Sequence, residues 1–198
     1  MSLLDLENTP LMKACYEKNT KLALELLEMG PDFCQLSAKS FPHYNLTALQ
    51  VAISHRLEEV ALKMLEYGPE ENCLDHIDFT ESTALIYSLD FGLTKVANRI
   101  LDFPDECDLY EVDNEMKTAL MFCCINGYVK LALRILGYGA HKHDLQVKDI
   151  YGYTALDYAK EKGLTKVIAK INEMYPDLES QKEDLGYSYE YTDNGIMI

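Results

Sequence analysis

The sequence predicts an all-α chain of stacked helix pairs, on three observations. A Thr-(Pro/Ala)-Leu tripeptide recurs at Thr9, Thr47, Thr83, Thr118 and Thr154, at intervals of 38, 36, 35 and 36 residues. Each copy opens two apolar runs at helical spacing, as in TALMFCCINGYVKLALRILGYGA from Thr118 to Ala140. Each run is short, and isolated helices below roughly 12–15 residues are marginal in water, so every pair needs neighbours. A fixed period of this length signals stacked repeats that bury a continuous strip of core.

Residues 1–8 form a short lead-in, and Pro10 then sits at a first helical position, where a missing N–H is not needed. Each threonine can cap its helix by accepting from an N–H of the first turn. Lys13, Glu17, Lys18 and Glu25 charge the first pair, as suits an end facing water. Gly92, Gly127 and Gly163 supply the turns inside the last three pairs, while Lys18 and Arg56 stand there in the first two. A left-handed backbone at a non-glycine residue costs on the order of 1 kcal/mol. The first two units should therefore exchange amide hydrogens faster than the third and fourth. In the fifth unit Lys160 and Asn172 replace the apolar Cys124 and Leu136 of the fourth, which marks the end of the array.

Thr-(Pro/Ala)-Leu, small residues, a glycine turn and a leucine-rich second helix together resemble the ankyrin repeat. The resemblance covers roughly residues 5–176, within a domain placed at 1–176, with repeats at about 5–41, 42–77, 78–112, 113–148 and 149–176. It implies an all-α ankyrin-repeat solenoid of helix-turn-helix units with projecting hairpin fingers. The family period is about 33 residues, so the connectors 31–46, 69–82, 104–117 and 140–153 are lengthened fingers. The family's finger aspartate occurs as Asp78, Asp113 and Asp149, with Pro42 in the second repeat. Its finger glycine survives only as Gly152; Asn45, Glu81 and Met116 replace it elsewhere, so irregular tips are expected there.

Net charge is −15 and the pI about 4.6. This opposes nucleic-acid binding, which draws on cationic side chains, and suits a partner protein with a basic patch. The acids of 69–82 and 104–117 admit two readings, a solvated face or an electrostatic patch that steers such a partner. Cys15, Cys123 and Cys124 fall at packing positions, and Cys34, Cys73 and Cys107 follow second helices. Reduced thiols in an intracellular, cytoplasmic protein are expected, the nucleus remaining open. MSLLDLENTPL carries no basic region or long apolar run, so no signal peptide is expected, and no run of about 18 apolar residues suits a membrane. Cys123-Cys124 as a catalytic thiol and His141-Lys142-His143 as a metal site are the enzyme readings; neither has the partner groups that such chemistry needs. No enzyme activity, cofactor or metal is expected, and the chain should be a monomer when free.

The resemblance further implies partner binding through finger tips and first-helix ends on a concave side. The candidates are Tyr16, Tyr44, His55, Phe79, Phe91, Glu111, Glu115, Ile125, Asn126, Tyr151 and Tyr153. Their rings can anchor an interface or pack finger against finger. Phe91, Glu111 and Glu115 are expected to lie outside the repeat core. The implied function is a protein–protein interaction module; a substrate-recognition adaptor or inhibitor subunit of a larger complex is the rival. By the same resemblance Asn72, in LEYGPEENCLD, occupies the hairpin asparagine that asparaginyl hydroxylases modify, with Cys34, Asp108 and His143 as its equivalents. The acidic tail 177–198 is expected to be disordered. It holds Tyr187, Tyr189 and Tyr191 in kinase-like surroundings and ends in Ile196-Met197-Ile198, which resembles a PDZ-domain ligand.

Overall fold

The computed structural model describes residues 8–40, 45–139, 142–176 and 178, with backbone alone at 142 and 143. In chain order the helices are α1 (Pro10–Tyr16), α2 (Thr20–Leu27), α3 (Pro31–Cys34), α4 (Ala48–Ser54), α5 (Glu58–Met64) and α6 (Pro69–Asn72). They continue as α7 (Ala84–Asp90), α8 (Thr94–Ile100), α9 (Ala119–Ile125), α10 (Val129–Gly137), α11 (Lys142–Leu145), α12 (Ala155–Glu161) and α13 (Thr165–Met174). The described residues contain no strand, only isolated bridges pairing Lys39 with Thr47 and Val112 with Thr118. No helix among them is long and apolar enough to cross a membrane.

The five threonines all cap helices: each Oγ1 accepts from the backbone N–H three residues on, at 3.2–3.3 Å. The leucine two residues after each threonine is buried, at 0–5 % exposure for Leu11, Leu49, Leu85, Leu120 and Leu156. Capping oxygen and core leucine thus lie at opposite ends of one tripeptide, which is why it recurs. Helices α1, α4, α7, α9 and α12 form one row of contacting neighbours. A second row runs through α2, α5, α8, α10 and α13, and each member also packs on its partner in the first row. The arrangement is compatible with a helical repeat. Lys160 and Asn172 are exposed where Cys124 and Leu136 are buried, so the fifth pair presents a polar side.

The turn between paired helices keeps one geometry throughout. The N–H groups of Asn19, Leu57, Leu93, Tyr128 and Leu164 reach back to the carbonyls of Ala14, Ala52, Ser88, Cys123 and Ala159 at 2.8–2.9 Å. This closure requires a left-handed residue just before the donor. Lys18 and Arg56 adopt it with φ of 54° and 59°, as Gly92, Gly127 and Gly163 do with 75°, 73° and 65°. Lys18→Gly is therefore expected to raise stability by up to about 1 kcal/mol, read as a higher urea midpoint. An unchanged or lower midpoint would show that the turn carries no strain.

Two expectations need correction. The fingers whose tips are described are regular rather than irregular: Glu81 and Met116 take φ of 58° and 62°, the left-handed value held by Gly152 at 81°, and Asn45 takes 57°. A buried aspartate compensates in two of them. Asp78 Oδ1 accepts from the N–H groups of Thr80 and Ser82, and Asp113 Oδ1 from those of Glu115 and Lys117, at 2.8–3.0 Å. Asp149 does the same for Tyr151 and Tyr153. The extra residues, moreover, do not all lengthen the fingers; α3, α6 and α11 take up part of them as one-turn helices after the second helices. Each turn delivers a leucine to the core, Leu36, Leu74 and Leu145 at 1–2 % exposure. Leu109 does so from turns at 104–106, where Phe103 stands in place of Gly30 and Gly68. Leu178, the one described residue of the segment 177–198 expected to be a disordered tail, is buried at 7 %.

Candidate functional site

The ends of the first-row helices form a ladder of side chains. The Tyr16 ring meets His55 edge-on, with centroids 5.2 Å apart. Next along the row, the Arg56 guanidinium lies 5.4 Å from the centre of the Phe91 ring and donates to the Phe91 carbonyl at 2.7 Å. Asn126 Nδ2 donates to the Phe122 carbonyl at 3.1 Å and reaches the Leu89 carbonyl at 3.5 Å. The row therefore brings together Tyr16, His55, Phe91 and Asn126, joined by Arg56. Nothing but an odd turn residue drew attention to Arg56 in the sequence. Ile125 sits beside Asn126 and is half-buried against the core.

Phe91 corrects the expectation that it lies outside the packed core. Its half-buried ring stacks on Tyr87 with centroids 5.9 Å apart and planes 2° from parallel. Tyr87 in turn donates to Asp78 Oδ2 at 2.6 Å, which ties helix α7 to its finger. Tyr153 stacks on Tyr158 at 5.3 Å, and the Tyr158 hydroxyl donates to Asp149. Burial and the adjoining Asp149 carboxylate both push the Tyr158 phenol up. These rings pack on their own units, and that of Phe91 also on Arg56 of the unit before, so Phe91 and Tyr153 are structural as well as surface groups.

The fourth unit breaks this pattern, because Phe122 stands where Tyr87 and Tyr158 donate to their aspartates. Tyr87→Phe should cost about 1–3 kcal/mol, since it removes a hydrogen bond to a buried carboxylate. Phe122→Tyr should give the finger of Asp113 the missing bond and raise the thermal midpoint. Equal midpoints for wild type and both variants would show that the tyrosine–aspartate link contributes nothing.

The finger tips join edge to edge. The N–H of Asn114 donates to the Thr80 carbonyl at 3.2 Å, and that of Ile150 to the Glu115 carbonyl at 3.0 Å. On this row Phe79, Met116, Ile150 and Tyr151 are 69 %, 44 %, 57 % and 52 % exposed. The sequence marked Phe79 and Tyr151 but missed Met116, treated only as a lost glycine, and passed over Ile150. The useful signal was an apolar side chain at a tight tip with no core to reach.

The acids divide differently from the expectation. Asp78 and Asp113 are buried acceptors of the finger turns, not surface charges. Glu115 bonds the Lys117 amine, which lies 5.7 Å from the centre of the Tyr151 ring. Glu111 is half-buried beside the Val112–Thr118 bridge. Glu70 and Glu71 belong to α6, which packs on the 3₁₀ turn Leu65–Tyr67, so they leave the tip row. Tyr44 lies outside the described residues, as do the tail tyrosines and the terminal Ile196-Met197-Ile198.

Asn72 is 1 % exposed, and its Nδ2 donates to the carbonyls of Met64 and Gly68 at 2.8 and 2.7 Å. Its Oδ1 is buried and without a hydrogen-bond partner. Its counterpart in the third unit is the buried Cys107, not Asp108, which is exposed and left-handed with φ 39°. All six cysteines are free thiols. Burial pushes Cys15, Cys107 and Cys124 up to about 12, and Cys123 well above the ordinary thiol range. Such thiols carry almost no thiolate near neutral pH, so they are poor nucleophiles. The side chains of His141 and His143 lie outside the described residues, which include no cluster of metal-ligating groups. A cavity of about 10 Å³ between Leu109, Tyr110, Leu120, Ile135 and Leu145 has room for one water at most.

No family model matches the chain, and a comparison with curated proteins found no match.

Proposed function

We propose that the chain is an ankyrin-repeat solenoid acting as a non-enzymatic protein-binding module, with its finger tips and first-helix ends as the contact surface. The observation that carries this reading is the tip row, where Phe79, Met116, Ile150 and Tyr151 are all exposed on fingers joined through their backbones. Large apolar groups held on a rigid frame, with no core to fill, suit a partner that buries them; aromatic side chains among them are common interface anchors. The partner is a protein with basic groups, given the net charge of −15. The module works in the cytoplasm as a monomer when free, and the stack itself needs no cofactor.

The reading is tested by photo-cross-linking in cells. A photoreactive residue at Phe79 or Ile150 should capture a discrete partner band. The same residue at Asn98 or Lys130, both exposed in the second row of helices, should capture none. Equal labelling from both rows, or none from the tips, would overturn the reading. Phe91 is a poor site for such a probe, because its ring and carbonyl both hold neighbouring units together.

A further inference from the structure

We infer that the finger-tip row of Phe79, Met116, Ile150 and Tyr151 receives an amphipathic basic α-helix lying across the three fingers. This deepens the protein-binding reading above and rests on it.

Three features select a helix. First, tip backbone groups facing along the row are already paired with one another, through Thr80 with Asn114 and Glu115 with Ile150. An extended peptide laid across the tips would find these groups occupied and leave its own unpaired. A helix arrives with its interior backbone bonds complete.

Second, the spacing fits. Each finger turns back through one backbone bond, Asp78 to Ser82, Asp113 to Lys117 and Asp149 to Tyr153, and is joined edge-on to the next, so successive tips are separated by about two strand spacings, roughly 9–10 Å. Seven residues of helix rise about 10.5 Å, so apolar side chains near every seventh position would span from Phe79 to Ile150, which both directly follow their finger aspartates, with Met116 on the finger between them. Tyr151 widens the last contact.

Third, the charge fits. Asp78, Asp113 and Asp149 are buried in the finger turns, so the charge the tips present is that of Glu81 and Glu115 beside the single amine of Lys117, on a chain of net charge −15. Lys117 is itself bonded to Glu115. Glu81, exposed two residues from Phe79, is placed to meet a lysine or arginine flanking the apolar stripe. A second copy of this acidic chain would be repelled.

The test uses the full chain and a labelled peptide of about 21 residues, alanine and lysine with leucine near every seventh position, read by fluorescence anisotropy. A control peptide of identical composition has its leucines dispersed around the helix, and a second control carries a central proline. The ordered peptide should bind at least about tenfold more tightly than either control. Phe79→Ser with Ile150→Ser, at two exposed positions, should remove about the same factor while the circular dichroism spectrum stays unchanged. Equal binding of the ordered and dispersed peptides would overturn the inference by reducing it to charge attraction. Undiminished binding to the double variant, or tighter binding of the proline peptide, would also overturn it. Should tip cross-linking capture a partner while the ordered peptide fails, only the helical assignment falls. Should the tips capture nothing, the binding reading falls with it.

Discussion

Raising the pH from 7 to 10 should remove several kcal/mol of folding stability, because the core holds protonated thiols. Cys15, Cys107, Cys123 and Cys124 are fully buried, and burial holds each thiol in its protonated form well above the ordinary range. In the unfolded chain the same groups ionise near pH 8.5. Above that value the unfolded state binds fewer protons than the native one, so stability falls as pH rises. It is fully present below about pH 8 and declines toward about pH 12, where native Cys15, Cys107 and Cys124 would ionise as well. At pH 10 the loss is about 1–2 kcal/mol for each of Cys15, Cys107 and Cys124, or roughly 3–6 kcal/mol together, with Cys123 acting in the same direction, against a typical domain stability of 5–15 kcal/mol. Urea midpoints at pH 7, 9 and 10 measure it. Cys124→Ala should show a shallower decline than wild type, whatever its stability at pH 7. Identical slopes for the two proteins would contradict the account.

Leu85→Ala should cost about 2–5 kcal/mol, as expected for a fully buried leucine whose cavity cannot collapse. Its position makes the loss more than local. Helix α7 touches α4 on one side and α9 on the other, so the substitution weakens both contacts of the central pair. In a stack held by nearest neighbours, the two ends should then melt at different denaturant concentrations. Leu22→Ala, at a position 39 % exposed on α2, should cost well under half as much. A single shared transition, with both variants equally destabilised, would argue against a stack of units coupled only to their neighbours.

Much of the fold was legible because its determinants are local. A threonine oxygen three residues from the N–H it caps, and a leucine at helical spacing, act within one turn of chain. The sequence therefore determined the helix starts, the turns at Lys18, Arg56, Gly92, Gly127 and Gly163, and the buried places of Cys15, Cys123 and Cys124. What it could not determine depends on groups brought from other units. One exception is local: the left-handed Glu81 and Met116 looked like breaks in the fingers, yet Asp78 and Asp113, three residues earlier in the same fingers, hold the turn through their buried carboxylates. Phe91 looked like a free ring until Arg56, 35 residues away, took its carbonyl and one face of its ring. Met116 and Ile150 became candidates only when backbone bonds between fingers set them beside Phe79. Sequence patterns record which residue types recur at a spacing. Whether a side chain at the surface is already in use depends on hydrogen bonds and ring contacts between units, and those exist only once the units pack.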